Sequence, residues 1–317
     1  MKNINALNKK KNIIIGILVS ILRWLLVILV GYIILFPLFT MISTSLKTAD
    51  QVIDPGVVWI PRSISFDNFK AAWTAMEFGK SFIKTMYINI FSAVIEIFVC
   101  AITAYGFSRH KFKSKSFWMA VLFVTMIVPP QMTVIPSYVQ YQSFDVLGIL
   151  RLIGDVFDTE LRPNLINTPF TFIFPALFSV GIRSSIIIFI YIQFFKALPK
   201  ELEEAAFVDG AGTLKTFFRI IMPSSAVAII TVSVFAVVWY YNEYYYSAIF
   251  FSSDFTLAPN LSQLYTTLIS SGVAEQGAVI SSAVMAGCLM FIVPPLVFYI
   301  IVQRKFIESI TTSGIVG

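Results

Sequence analysis

Two charged side chains stand inside otherwise apolar blocks of the sequence. Glu96 precedes Arg109 by 13 residues, and Arg183 precedes Lys196 by 13 residues. If both blocks are helical, the two charges lie at equal depth, about 20 Å from the basic end of each block. A charge within a bilayer is costly unless it is paired or faces water. We therefore predict an ion pair between Glu96 and Arg183 that holds two helices in register; the alternative is that both line a polar path.

A second cluster combines aromatic rings with polar groups. Aromatic faces stack on the C–H faces of sugars, while amides and carboxylates hydrogen-bond to hydroxyl groups. The cluster is therefore a candidate sugar-contact site, and the alternative is a belt of Tyr and Trp at a bilayer interface. Its members are Trp239, Tyr240, Asn242, Glu243 and Tyr244.

The segment 196–222 is charged and lies between two apolar blocks. Pro199 suits the first position of a helix, acidic residues suit its first turns, and Gly210 suits its C-terminal cap. We predict a helix of about three turns, followed by a second helix from Thr213 to Pro223. Helical spacing gives the first helix a small-sided apolar face, on which another protein could dock or which could rest on a membrane surface. The residues of that face are Leu202, Ala205, Ala206 and Asp209.

The elements that position these residues are long apolar helices. Of the 317 residues, 57% are hydrophobic and 13% are charged, and the mean hydropathy is +0.82. Apolar blocks of about 20 residues are long enough to cross a hydrocarbon core as helices. We therefore predict an all-α polytopic membrane protein with about six transmembrane helices. The predicted spans are 13–43, 81–107, 116–138, 169–195, 223–250 and 277–302.

The distribution of Lys and Arg predicts the orientation. With the N-terminus in the cytoplasm, the cytoplasmic segments hold about twice as many Lys and Arg residues as the outer segments. We expect a cell (inner) membrane protein with both termini, and the loop 196–222, in the cytoplasm. The predicted organisation is a tail and first span at 1–43, an extracytoplasmic loop at 44–80, a core of five helices at 81–303 and a cytoplasmic tail at 304–317.

Other function classes have little support in the sequence. The net charge of +6 fits basic cytoplasmic loops, and we predict no nucleic-acid partner. Cys100 and Cys288 lie in apolar blocks, and His110 has no metal-ligand spacing around it, so no metal site is predicted. An ion-coupled secondary transporter stays a possible but less favoured class, because no repeat relates the two halves of the chain. No nucleophile or His/Asp/Glu constellation indicates an enzyme.

One motif resembles a known family. Glu204-Ala205-Ala206, followed by Gly210 and by Met222-Pro223, resembles the "EAA" coupling motif of binding-protein-dependent ABC importer permeases. That family usually has Leu at the position of Met222. The Trp239–Tyr244 stretch and the C-terminal tail are similar to those of the carbohydrate-uptake subgroup, which includes the maltose and oligosaccharide permeases. The resemblance covers the chain from about Lys80 to its end.

The resemblance implies a type I ABC importer permease fold and a division of labour among subunits. The chain would be a transport subunit that moves a sugar or oligosaccharide, and separate ATPases would bind ATP and Mg²⁺. No Gly-x-x-x-x-Gly-Lys-Ser/Thr sequence occurs in this chain, and no bound cofactor is expected here. Implied partners are a second permease (a heterodimer), two ATP-binding subunits and an extracytoplasmic solute-binding protein. The implied ATPase contacts are Leu202, Glu204, Ala205, Ala206, Asp209, Gly210 and Ala211.

Two outer segments are predicted to meet the solute-binding protein. The stretch 149–164 is an insertion of about 16 residues relative to the family pattern, and 252–276 resembles the family's loop that reaches into the binding protein. The EAA spacing is shared with permeases for peptides, amino acids and polyamines, so another small solute stays an alternative to a sugar.

Overall fold

A computed structural model describes residues 2–145, 148–252, 254–272 and 277–313, with side chains described between residues 13 and 304 of those ranges. Only helices, turns and irregular segments occur in this part of the chain, so the all-α prediction is confirmed. The helices are α1 Lys2–Ser45, α2 Ala49–Ile53, α3 Asp67–Ala75, α4 Phe78–Arg109, α5 Lys115–Ile127, α6 Pro130–Gln142, α7 Ile149–Phe157, α8 Phe170–Leu177, α9 Ser184–Ala197, α10 Glu201–Val208, α11 Thr213–Thr216, α12 Met222–Ser224, α13 Ala226–Tyr241, α14 Tyr245–Phe250, α15 Leu257–Ser270 and α16 Gly277–Ser313, with a π-helical turn at Phe217–Ile221.

The chain divides into two compact units, Met1–Ala72 with Tyr265–Leu289 and Trp73–Leu264 with Met290–Gly317. In the first unit, polar side chains order the segment after α1. Buried Lys47 donates through Nζ to the Val57 carbonyl at 2.6 Å, and Asn68 donates through Nδ2 to the Ser45 carbonyl at 2.9 Å. Ser282 of α16 donates to Asn68 Oδ1 at 2.9 Å. Because buried polar groups need such partners, these bonds fix the loop that the sequence places at 44–80.

In the second unit, α4 lies at the centre and packs against α8, α9 and α13. Its inward positions carry small residues, including the fully buried Ala93, Ala101 and Ala104. Small side chains allow helices to approach closely, which matters in a bilayer, where helix association depends on van der Waals contact rather than on the exclusion of water. The composition of α4 therefore explains its central place.

Prolines and residues with a left-handed backbone conformation interrupt two of the predicted spans. The block 116–138 forms α5 and α6, which are bent by 102° at Val128-Pro129. Proline lacks an amide hydrogen and forces the preceding residue into an extended conformation. The block 169–195 forms α8 and α9, separated by a turn in which Ser179 and Arg183 have positive φ values of 58° and 57°. Each of these two predicted spans therefore consists of two helices.

The helices of the structure provide fewer candidate membrane spans than the six predicted. Among the described residues, Ile13–Ser45, Phe78–Arg109 and Gly277–Arg304 are long and apolar enough to cross a membrane as single helices. Two bent pairs raise the number to five if each pair counts as one span: α5 with α6, and Thr213–Ser224 with α13. The number six stays a prediction. The C-terminal tail predicted from 304 is helical as far as Ser313, and residues 314–317 lie outside the described residues.

Candidate functional site

The helix α10 carries the EAA-like motif and is shorter than predicted. It begins at Glu201 rather than at Pro199, with Lys200 at the N-cap position, and it makes only two turns. Gly210 has a φ of 76°, and its amide donates to the Phe207 carbonyl at 3.1 Å. The Ala211 amide donates to the Ala206 carbonyl at 2.9 Å, which completes a Schellman motif. The predicted C-terminal cap at Gly210 is confirmed.

A buried ion pair attaches α10 to the end of α4. Arg109, the last residue of α4, places Nε 2.7 Å from Glu203 Oε1, and its Nη2 donates to the Leu198 carbonyl at 2.8 Å. The side chains of Arg109 and Glu203 are only 7% and 10% exposed. Removing one partner of such a pair leaves an uncompensated buried charge, so the two helices are constrained to keep this contact.

Aromatic rings pack beneath this ion pair. The Tyr105 ring centroid lies 5.0 Å from that of Phe217 and 6.2 Å from that of Phe195, and the Tyr105 hydroxyl donates to Glu203 Oε2 at 3.5 Å. Phe195 belongs to α9 and Phe217 to the π-helical turn after α11. Interiors packed this tightly transmit displacement rather than absorb it. Through this group, α10 is in contact with α4, and α4 in turn with α9 and the segment that leads into α13.

The exposed side of α10 differs from the face predicted for it. Glu203 and Ala206 point inward, and Ala206 is 5% exposed. The ion pair turns this side of the helix toward the protein, and the contact of Ala206 with a partner stays a prediction. Ala211 is half-buried. The exposed predicted contacts are Leu202, Glu204, Ala205, Asp209 and Gly210, and exposed apolar side chains that the prediction omitted are Phe207, Val208 and Leu214.

A buried polar cluster lies deeper, between α4, α9 and α13. Glu96 is fully buried and accepts a hydrogen bond from the Ser184 hydroxyl. Gly181 lies against the same group: a Cβ at this position would be 2.6 Å from the Tyr240 Oη and 3.0 Å from Glu96 Oε2. Only a residue without a side chain fits beside these two polar atoms, so Gly181 permits the close approach.

The predicted ion pair between Glu96 and Arg183 is wrong. No ion pair in the described part of the chain joins these two residues, and the partner of Glu96 is Ser184. Arg183 has a left-handed backbone and is exposed, and its guanidinium carbon lies 5.1 Å from the centre of the Trp239 ring. This distance is within the range of a cation–π contact. The equal depth of the two charges does not produce a pair, because the turn before α9 directs Arg183 away from α4.

The aromatic cluster around Trp239 is divided between interior and surface. Tyr240 is 5% exposed and packs in the core, and its contact with a solute stays a prediction. Trp239 and Glu243 are half-buried, and Glu243 Oε1 accepts from the Tyr246 amide at 3.0 Å. Asn242 and Tyr244 are exposed. The surface that remains combines Trp239, Asn242, Glu243 and Tyr244 with Arg183, which the predicted sugar-contact group did not include.

A charged group lies where α4 begins. Asp254 pairs with Lys80 at 3.1 Å and with Lys84 at 3.4 Å, and the Lys84 Nζ lies 3.8 Å from the centre of the Phe251 ring. Partial burial raises the pKa of Asp254, but the two lysines outweigh it, and the pKa is lowered overall. The predicted loop 252–276 contains α15, and its residues 253 and 273–276 lie outside the described residues. No group of His, Cys, Asp or Glu suited to a metal ion occurs within the described ranges.

These features define a membrane transport subunit, and the comparisons agree. Residues 96–308 match the family described as "Binding-protein-dependent transport system inner membrane component". The chain is 31% identical over 283 residues to the melibiose/raffinose/stachyose import permease protein of Bacillus subtilis, covering 89% of this chain and 91% of that protein. It is 25% identical over 305 residues to the arabinooligosaccharides transport system permease protein of Halalkalibacterium halodurans, covering 94% and 98%. The chain belongs to this family of binding-protein-dependent transport permeases.

A solved structure has the same fold. One chain of a bacterial ABC transporter involved in the import of the acidic polysaccharide alginate superposes with a TM-score of 0.67 at 19% sequence identity, covering 90% of this chain and 96% of that one. At this identity the similarity shows the fold alone. The predicted ABC importer permease fold is confirmed, and the chain is a transport subunit rather than an enzyme. Its family acts with an ATPase and a solute-binding protein.

The contact between Arg109 and Glu203 was not predicted. In the sequence, Arg109 is a basic residue at the end of one predicted helix, and Glu203 is an acidic residue in the first turn of another. Nothing local indicates that they meet, because the contact depends on how α4 and α9 pack. The sequence signal for this ion pair is a basic residue at the end of a span together with an acidic residue just before the EAA motif.

Proposed function

We propose that this chain is the sugar-translocating permease subunit of an ATP-driven importer, and that α10 is the helix on which the ATPase acts. The observation that carries the proposal is the construction of α10. One side is fixed to α4 through Arg109 and Glu203, and the other side is exposed. A helix of this kind can receive a force from a docked protein and pass it to the membrane helices.

The exposed side of α10 suits a protein partner rather than water. Val208 is 87% exposed and Leu214 is 69% exposed, next to the small residue Ala205 and the acidic Glu204. Apolar side chains flanked by charges are typical of docking sites. We propose that a pair of ATP-binding subunits, which hold ATP and Mg²⁺, docks here and at the equivalent helix of a second permease. A heterodimeric pore, a multi-pass topology with α10 and both termini in the cytoplasm, and a location in the cell membrane belong to the same proposal.

An oligosaccharide is the proposed solute. Two relatives of this chain are named for melibiose, raffinose and stachyose and for arabinooligosaccharides. The group around Trp239 supplies groups that a sugar could contact: a partly exposed indole that also stacks against Phe235, the donors of Arg183 and the amide of Asn242. Glu243, half-buried beside them, offers an acceptor. We propose that these residues line part of the solute path.

Reconstitution with the partners tests the docking proposal. Cysteine would be placed at Ala205 or Val208 in a chain whose Cys100 and Cys288 are replaced by Ser, and the permease would be assembled with its ATPase in vesicles. We expect crosslinks from both positions to the ATPase, with a rate that changes when ATP binds. Cysteine at Ile135, which is exposed on α6, is the matched control. Crosslinks of equal rate from Ile135, or none from α10, would contradict the proposal.

Uptake measurements test the solute class separately. Vesicles that contain the complete complex and its binding protein would be given labelled oligosaccharides, peptides and polyamines. We expect ATP-dependent accumulation of an oligosaccharide only. Accumulation of a peptide or a polyamine would overturn the sugar assignment while leaving the docking proposal intact, and accumulation driven by an ion gradient without ATP would overturn both.

A further inference from the structure

The helix α7 presents an unusual apolar surface. It lies in the insertion 149–164, and its exposed apolar side chains share one face because they are spaced at i, i+3, i+4 and i+7. Leu152 is 66% exposed and Val156 is 78% exposed. The full face consists of Ile149, Leu152, Ile153, Val156 and, at its edge, Phe157. On a helix of only nine residues, such a face is not stable in water and requires an apolar environment.

The opposite side of α7 is polar or turned toward the protein. Arg151 and Asp155 are exposed on that side, and Asp158 follows at the C-terminal end. Leu150 is half-buried, and Gly154 is buried because the chain that follows α7 turns back over it: a Cβ there would clash with the Thr159 carbonyl oxygen. An apolar face opposite a charged face is typical of an interfacial helix, and nine residues are too few to span the membrane.

Hydrogen bonds hold α7 in a fixed place at the end of α6. The Asp145 carboxylate accepts from the Leu150 amide at 2.8 Å and from the Arg151 amide at 3.3 Å, which satisfies amides of the first turn. The Phe144 amide donates to the Pro163 carbonyl at 3.0 Å, and the Leu165 amide donates to the Tyr141 carbonyl at 2.8 Å. The insertion therefore leaves and returns at one point, beside the last residues of a membrane helix.

The apolar face of α7 continues a surface that already exists. The neighbouring α6 exposes a stripe of apolar side chains, Met132, Ile135 and Val139, along the helix that ends at Gln142. Gln142 and Ser143 are polar and exposed, as expected where a helix leaves the hydrocarbon. The stripe and the face of α7 lie on successive helices, and the hydrogen bonds of Phe144 and Asp145 hold the insertion at the end of α6.

We propose that α7 is an interfacial anchor whose apolar face lies among phospholipid acyl chains at the bilayer surface. Its charged side then points to the headgroups and to water, where Arg151 can meet lipid phosphate. This inference goes beyond the transport function. It also changes the prediction for the insertion: the side available to a solute-binding protein is the charged side, with Arg151, Asp155 and Asp158, and not the apolar one.

Spin labels on single cysteines test the anchor. The complete transporter, with Cys100 and Cys288 of this chain replaced by Ser, would be placed in nanodiscs of phosphatidylethanolamine and phosphatidylglycerol. Labels at Leu152→Cys and Val156→Cys are compared with a label at Asp155→Cys on the opposite side. We expect the ratio of oxygen accessibility to nickel-chelate accessibility to be about threefold or more higher at positions 152 and 156, because oxygen concentrates in acyl chains and the chelate in water.

Two results would overturn the anchor. Equal access of the nickel chelate to all three labels would place α7 in water. Exclusion of both reagents from positions 152 and 156 would place the apolar face against protein, either the second permease or the solute-binding protein. ATP-dependent uptake by each variant confirms assembly, and where a variant does not assemble, Ile149→Cys and Ile153→Cys sample the same face.

Discussion

Arg109 Nε lies 2.7 Å from Glu203 Oε1, and this contact joins the end of the longest helix of its unit to the helix that carries the EAA-like motif. Both side chains are nearly buried, and Arg109 also reaches the Leu198 carbonyl. The contact therefore fixes both ends of the short connection between α9 and α10.

Breaking this pair on one side is expected to uncouple ATP hydrolysis from transport. Glu203→Leu leaves the Arg109 charge buried without its partner, which costs about 3 to 5 kcal/mol in such pairs. We expect uptake to fall at least tenfold while ATP hydrolysis by the assembled complex persists. The measurement is the number of ATP molecules hydrolysed per solute molecule taken up.

Two controls make the coupling experiment specific. Lys70 and Asp67 form a pair at 3.5 Å that is largely exposed, and Lys70→Leu should leave the number of ATP molecules hydrolysed per solute molecule unchanged. The double variant Arg109→Met with Glu203→Leu removes both charges and should recover much of the stability lost in the single variant. Normal coupling in Glu203→Leu would show that the pair does not transmit force.

The left-handed backbone at Gly210 is expected to be essential for the end of α10. Nothing lies within 4 Å of a Cβ built there, so Gly210→Ala introduces no clash, but φ 76° costs about 1 to 2 kcal/mol for a residue with a side chain. We expect weaker assembly with the ATPase, measured by co-purification. Gly212 is equally open and has φ −74°, so Gly212→Ala is the matched control and should assemble normally. Equal effects of the two substitutions would contradict the Schellman cap as the cause.

A Cβ at Gly181 is expected to destabilise the buried polar cluster. It would lie 2.6 Å from Tyr240 Oη, and neither Tyr240 nor Glu96 has room to retreat. Overpacking of this kind costs about 1 to 3 kcal/mol, so Gly181→Ala should lower the melting temperature of the purified chain. Tyr240→Phe removes the clashing oxygen, and the double variant should recover part of the loss. Gly106→Ala, with open space around it, should leave stability unchanged or raise it.

The sequence predicts the elements better than it predicts their contacts. The positions of α4, α10 and the Gly210 cap follow from local rules of hydrophobicity and capping, and these rules depend on neighbouring residues only. The break at Pro129-Pro130 is visible in the sequence, but its 102° bend depends on the helices that pack on either side. Arg183 is not a residue type that favours a left-handed backbone, so its turn away from Glu96 has no local signal. Depth along a helix is predictable, whereas the direction of a side chain around it is set by packing.

Arg183 and Trp239 are expected to act on solute passage. The guanidinium is exposed and lies 5.1 Å from the centre of the indole ring, whereas Trp239 is half-buried, stacks against Phe235 and packs against the core. Arg183→Ala removes five hydrogen-bond donors from the proposed path. We expect it to lower oligosaccharide uptake at least about fivefold, with a melting temperature and a basal ATPase rate near those of the unmodified complex, because the loss of one contact worth about 1 kcal/mol predicts a change of this size. Trp239→Ala should lower uptake as well, and it should also lower the melting temperature because it removes a ring that packs against the core. Arg183→Lys keeps the charge but loses the planar fork, so its oligosaccharide uptake should be intermediate.

Trp118→Ala, which removes an exposed indole from α5, is the control for loss of a large ring. Unchanged uptake in both Arg183→Ala and Trp239→Ala would place the solute path elsewhere, on the second permease or on another face of this one.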